Sequence, residues 1–211
     1  MMTFMRMVTA VLLILAAGPS APIPAPAEKA SASEACTCPE ARRTNGWCEF
    51  HGMGYVAEVP MRSALLHETL DAHGHQVDPG TFECESCKKA IETSGFCEKD
   101  RIGFVGGLAY FSRLTYELAR GKWTPPESLS CPVCRKNADE GPGWCDECKR
   151  GMVGHVAIRD KAAYEAAARA VVILRAAIQT AEGCEYCAVA MVADGDCPYH
   201  RITYKDGKPV Q

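Results

Sequence analysis

Apolar residues return at helical spacing in three separate stretches of this chain, and a short strand-like run precedes each of them. Residues 62–73 place Leu65, Leu66 and Leu70 on one side, with Gly74 as a C-terminal stop. Residues 107–120 carry Leu108, Phe111, Leu114 and Leu118 as a stripe ahead of Gly121. The longest stretch, 161–180, spaces Tyr164, Val171, Leu174 and Ile178 at i, i+7, i+10 and i+14 behind Asp160 as N-cap. Glu165, Arg169 and Arg175 interrupt it, so this helix is amphipathic and does not span a membrane. The runs 55–59, 104–108 and 152–158 read as strands, and the fourth copy ends after Tyr204-Lys205-Asp206-Gly207 without a helix.

One further apolar stretch has no period. Residues 7–17 form an 11-residue run broken only by Thr9, Arg6 is the sole charge of residues 1–27, and Ala25-Pro26-Ala27 offers a small-residue cleavage site. Residues 1–27 therefore read as an export signal, with an uncleaved anchor as the competing reading; the run is short for a span. No lipoprotein cysteine follows it. Residues 28–35 close an Ala/Pro/Ser-rich stretch that reads as a flexible linker.

Between the periodic stretches lie the cysteines, 13 in 211 residues. They fall into four clusters: Cys36, Cys38, Cys48 and His51; Cys84, Cys87, Cys97 and Asp100; Cys131, Cys134, Cys145 and Cys148; Cys184, Cys187, Cys197 and His200. Each is two cysteines, a gap of 9 or 10 residues, a third cysteine, and a donor three positions later. The first cysteine recurs after 48, 47 and 53 residues, so the chain is an internal repeat. The surroundings repeat too: Gly46-Trp47, Gly95-Phe96, Gly143-Trp144 and Gly195-Asp196 precede the third cysteine. Gly54-Tyr55-Val56, Gly103-Phe104-Val105 and Gly151-Met152-Val153 follow the fourth donor, with Thr203-Tyr204-Lys205 as a degraded last copy. Trp47, Phe96 and Trp144 are expected to pack on the hairpin of their own module.

Two ligands three apart can be presented by one tight turn whose N–H groups point at the sulfurs, and two such turns joined by a hairpin close a tetrahedron. Zn2+ accepts four thiolates, or three thiolates and an imidazole, without geometric preference of its own. On these residues the modules resemble zinc-ribbon or zinc-knuckle units over about a third of the chain, a resemblance that implies structural metal sites and no particular substrate. The expected fold class is a small metal-stabilised α+β protein: four tandem zinc-ribbon-like hairpin modules linked by three amphipathic helices. Its divisions are repeats at 36–79, 80–127, 128–181 and 182–211, the last lacking the helix. Each holds too little apolar sequence for a core of its own, so about four Zn2+ ions are expected to supply the missing stability. A stacked array and a compact cluster are both compatible with three linking helices.

The sites admit two pairings, within a repeat or between the second half of one and the first half of the next. Within-repeat gaps of 9, 9, 10 and 9 against between-repeat gaps of 32, 30 and 35 favour local closure. Export brings in disulfides as a rival, because oxidising compartments favour them. Against it stand the odd cysteine count and the register that His51 and His200 share with Cys148.

Formal net charge is -3, and -4 once the signal is removed. Metal-bound thiolates add negative charge, so polyanions are repelled and nucleic acid is not an expected partner. The basic pairs Arg42-Arg43, Lys88-Lys89, Arg135-Lys136 and Lys149-Arg150 read as charge offsetting nearby thiolates, with a phosphate-binding face as the minority view. Cys87, Cys134, Cys148 and Cys187 are followed by Lys88, Arg135, Lys149 and Ala188, so no C-x-x-C-H haem motif occurs. The four-thiolate cluster would also suit iron. Asp100, a hard oxygen among three sulfurs, is a tolerated ligand or the mark of a weakened site. No metalloprotease, deaminase or serine-nucleophile motif accompanies it. His67, His73 and His75 read as solvated turn residues, and His155 as a residue without a ligand role.

The sequence thus predicts an exported, non-enzymatic, zinc-stabilised repeat protein, periplasmic, envelope-bound or secreted, with no stable membrane span after cleavage. It would serve as an interaction scaffold for an unknown protein or envelope component. A thiolate-rich protein that buffers zinc, copper or heavy metals and a metal-free, disulfide-stapled secreted protein are the alternatives.

Overall fold

The computed structural model describes residues 39–210, all within one unit, 35–211. The stretches read from the sequence as an export signal and a linker, with Cys36 and Cys38, lie outside the described residues. A helix, a three-stranded meander and a second helix recur along the chain. First come α1 (Pro39–Arg43), β1 (Trp47–Cys48), β2 (Met53–Val56), β3 (Val59–Met61) and α2 (Ala64–Leu70). The second copy has β4 (His75–Gln76), α3 (Glu85–Thr93), β5 (Phe96–Cys97), β6 (Ile102–Val105), β7 (Leu108–Tyr110) and α4 (Arg113–Arg120). The third has β8 (Lys122–Trp123), α5 (Pro132–Glu140), β9 (Gly143–Cys145), β10 (Arg150–Val153), β11 (Val156–Ile158) and α6 (Lys161–Ala181). The last has α7 (Glu185–Ala193) and the hairpin β12 (Thr203–Lys205) and β13 (Lys208–Val210).

The segment between the paired cysteines is helical, which corrects the expectation of turns joined by a simple hairpin. Cys84, Cys131 and Cys184 take extended backbone at the N-cap of α3, α5 and α7, and Cys87, Cys134 and Cys187 stand at the third helical position. C-x-x-C is thus the N-cap-to-N3 spacing, which brings both side chains to the same end of a helix. In α7 the Cys187 N–H donates to Cys184 Sγ at 3.4 Å, a sulfur version of an N-cap bond. The buried stripe of α3 is Cys87 and Ala90, so its helical period was hidden in a residue read as a ligand. Asn45, Ser94 and Asp194 follow their helices in the left-handed region. The next residue then closes back: Gly46, Gly95 and Gly195 donate to the carbonyls of Ala41, Ala90 and Ala190 at 2.7, 2.7 and 3.0 Å.

Each predicted strand is in fact the core of a hairpin. β2 and β3 turn at Ala57-Glu58 (φ 51° and 66°), β6 and β7 at Gly106-Gly107 (59° and 84°), and β10 and β11 at Gly154-His155, where Gly154 has φ 54°. Positive φ in a two-residue turn matches the twist of the flanking strands. The sheets run β1-β2-β3, β4-β7-β6-β5, β8-β11-β10-β9 and β12-β13. β4 and β8 come from the segments that connect one copy to the next, pairing His75 with Ala109 and Trp123 with Val156. The segment that leads into each of these copies is therefore tied to that copy's sheet by backbone hydrogen bonds.

The linking helices pool their apolar stripes. Leu66 and Leu70 of α2, Leu114 and Leu118 of α4, Val171, Leu174 and Ala177 of α6, and Ala188 and Met191 of α7 are buried together with Val56, Met61, Val153 and Ile158 from the hairpins. Helix α6 packs on α4 and α7, and α7 returns to α2, so the last copy closes on the first. This shared interior corrects the expectation that metal alone replaces a missing core: each fully buried Leu contributes roughly 1.5–3 kcal/mol. It also decides for a cluster over a linear stack. Two predicted stripe members lie elsewhere, Leu108 in β7 and Phe111 ahead of α4 at 38 % exposure. Among the described residues no helix is long and apolar enough to cross a membrane.

Candidate metal centres

Three of the four predicted donor sets converge among the described residues. In the sets Cys84/Cys87/Cys97/Asp100, Cys131/Cys134/Cys145/Cys148 and Cys184/Cys187/Cys197/His200, the donor atoms lie within 4.8 Å of one another. Each set is within one repeat. The first two donors come from a helix N-terminus; the third ends the strand that succeeds the helix or, in the last set, follows the bridge residue Asp196; the fourth sits in the turn before the next strand. The residue after the fourth donor, Gly52, Arg101, Lys149 or Arg201, has φ of 55°, 58°, 48° or 54°, which turns the chain back over the sulfurs. Sequence reasoning missed that position because three of the four residues are not glycine.

The separations fit a four-coordinate cation. With zinc–sulfur bonds of ~2.3 Å a tetrahedron has sulfur–sulfur edges of ~3.8 Å, and sulfur–nitrogen edges of ~3.5 Å. Cys84 and Cys97 are 3.9 Å apart, Cys131 and Cys145 3.8 Å, and Cys184 and Cys197 3.9 Å. Nδ1 of His200 lies 3.3 Å from Cys187 Sγ and 3.6 Å from Cys197 Sγ. A disulfide would need ~2.05 Å. In the first set Cys48 Sγ and His51 Nδ1 are 3.3 Å apart, the same as the Cys187–His200 separation. Its other two donors, Cys36 and Cys38, are outside the described residues. The Asp100 set departs from the pattern. Cys87 Sγ to Asp100 Oδ2 is 3.1 Å, a thiol–carboxylate hydrogen bond, and a cleft of about 580 Å³ lined by Glu83, Cys84, Lys99 and Asp100 opens on it.

Burial and hydrogen bonding split the thiols of each set. Burial pushes Cys134 up to about 12 and Cys187 up to about 11, and lifts Cys87 well above an ordinary thiol. The Cys134 N–H draws Cys131 down to about 7. Burial raises Cys197, but N–H groups from His200 and Tyr199, with the side chains of Cys187 and His200, outweigh it and bring the thiol to about 6. Asp100 is lowered by hydrogen bonds from Cys84 and Cys87. The chemistry that follows is cation capture with proton release, since the buried thiols ionise at neutral pH only against a positive charge. Tyr204 is buried beside the last set and offsets part of the burial shift on Cys187, a neighbour the sequence reading missed although Tyr55 and Tyr204 recur in the two His-bearing copies.

The other singled-out residues are not donors in these sets. Trp47, Phe96 and Trp144 each stack on the linking helix that follows, with ring centroids 5.5, 5.3 and 5.5 Å from His67, Tyr116 and Tyr164. The following helix thus closes over rings that stand opposite glycines of their own hairpin. The stacking also separates His67 from His73 and His75: its Nε2 meets the Asn45 carbonyl at 3.1 Å, while His75 pairs with Asp71 at 2.8 Å. His155 meets Glu58 at 3.1 Å, where the hairpin turns of the first and third copies touch. The basic pairs bind carboxylates more than thiolates, with Arg42 on Glu58, Arg43 on Glu40 and Lys88 on Glu85. The chain is a small α+β protein with cysteine clusters suited to metal. No protein-family model, curated protein or solved structure matches it.

Proposed function

We propose that this chain is an exported, non-enzymatic zinc protein whose metal sites are structural and whose helices and hairpin tips present a surface to another protein or envelope component. The tetrahedral spacing of buried donors on rigid elements carries the reading: Cys134 and Cys187 sit in helices, Cys145 ends a strand, and all three are at most 5 % exposed. Four protein donors at tetrahedral spacing fill a cation's coordination and leave no inner position for a substrate. Elemental analysis of mature protein should find three or four zinc ions per chain. Cys134→Ser should remove about one of them and lower the helicity, because binding energy at such a site is folding energy. Unchanged zinc content and helicity in that variant would refute the reading.

Metal handling is the second reading, supported by the exposure of Asp100 and His200. Under it a mild chelator strips the metal while the helices persist; under the structural reading, metal and helicity are lost together.

A further inference from the structure

Around β8 the surface changes character. A cleft of about 670 Å³ opens between β8, the end of β11 and the start of α6, and Arg120, Lys122, Arg150 and Arg159 line it. The one carboxylate there, Asp160, accepts the Ala163 N–H at 2.7 Å and is committed to capping α6. Arg120 is held by Glu117 at 3.0 Å, whereas Lys122, Arg150 and Arg159 form no ion pair among the described residues. Uncompensated cations in a chain of net charge -3 are a local inversion of the overall field. Trp123 borders the same cleft, 45 % exposed, unlike Trp47 and Trp144, which stack on neighbouring rings. β4, the corresponding strand of the second sheet, carries His75 and Gln76 there and no such combination.

We propose that this cleft is a binding site for a small anionic sugar, whose ring lies on Trp123 and whose carboxylate or phosphate is held by Lys122, Arg150 and Arg159. Guanidinium groups pair with planar oxyanions through two parallel hydrogen bonds, and an indole offers a rigid apolar face to a ring. The volume suits a ligand of one or two rings and is too small to seat a duplex. The overall negative charge works against a long polyanion while leaving a short one free to enter. The proposal goes beyond the structural-zinc reading and does not depend on it, since the lining residues are not metal donors.

Calorimetric titration of the zinc-replete full chain with glucuronate, glucose 6-phosphate, glucose and inorganic phosphate tests it. One or both anionic sugars should bind at least about tenfold more tightly than glucose or phosphate, and their order identifies carboxylate or phosphate as the preferred group. Arg159→Ala and Lys122→Ala should each weaken that binding about fivefold or more, with zinc content and circular dichroism unchanged. Trp123→Ala should bring the anionic sugar down to the level of inorganic phosphate. Binding of both anionic sugars no tighter than that of inorganic phosphate by the natural chain overturns the proposal, as does insensitivity to Trp123→Ala. Tighter binding of a single-stranded oligonucleotide than of either sugar overturns it in favour of nucleic acid.

Discussion

At the residue scale the repeat is organised by a pairing of glycine with an aromatic ring. Gly54, Gly103 and Gly151 lie opposite Trp47, Phe96 and Trp144 across the strands, and a Cβ on any of them would strike the ring that the next helix lays there: His67, Tyr116 or Tyr164. In the fourth copy the same register pairs Asp196 with Thr203, and their side chains hydrogen-bond. Among the described residues no helix follows this hairpin to lay a ring on that pair, so the register that holds glycine and an aromatic ring elsewhere holds two polar side chains here. Gly103→Ala should accordingly destabilise the protein by about 1–3 kcal/mol through overpacking against Tyr116. Gly195→Ala, where an added methyl meets nothing within 4 Å, should change stability by less than about 0.5 kcal/mol. Chemical denaturation of the two variants side by side checks the contrast. The glycines were visible in the sequence as a frame; their reason was not, because the ring that excludes a side chain comes from a helix about 13 residues downstream.

At the scale of the element, a short helix presents the first pair of donors, and the donor in the following turn distinguishes one site from the next. Asp100→His, which copies His200, should slow the release of one zinc equivalent to a chelator by about tenfold, since imidazole suits zinc among thiolates better than an exposed carboxylate that already bonds Cys87. Stopped-flow chelator kinetics would show the fast phase merging with the rest; a fast phase that persists places the labile site elsewhere. Helix α4 carries a different titration. Glu117 is buried between Arg113 and Arg120, at 3.2 and 3.0 Å, and burial lifts its carboxyl pKa against their pull. An acid raised in the folded state favours folding while protonated, and that contribution is lost as pH rises through the folded pKa. The stability difference between the natural chain and Glu117→Gln should therefore shift against the natural chain between pH 4 and pH 7. Parallel urea titrations at the two values measure it, and a difference that grows in favour of the natural chain contradicts the sign.

For the whole molecule the question is whether four repeats behave as four units or as one. Leu174 is fully buried where α6 meets the stripes of α2, α4 and α7. Leu174→Ala should cost about 2–5 kcal/mol and lower hydrogen-exchange protection in all four helices together, keeping a single unfolding transition. Loss of protection confined to α6 would mean that the copies unfold independently. The chain by itself determined the repeat, three of its donor sets and the three linking helices, because ligand spacing and helical period are local patterns. It did not determine what the helices do with their apolar faces, or that β4 and β8 join the next sheet, because a stripe specifies burial without specifying a partner. Only the tertiary structure decided that the stripes meet in one interior and that the fourth copy closes on the first. That closure arises because α7 offers α2 and α6 an apolar surface that would otherwise face water.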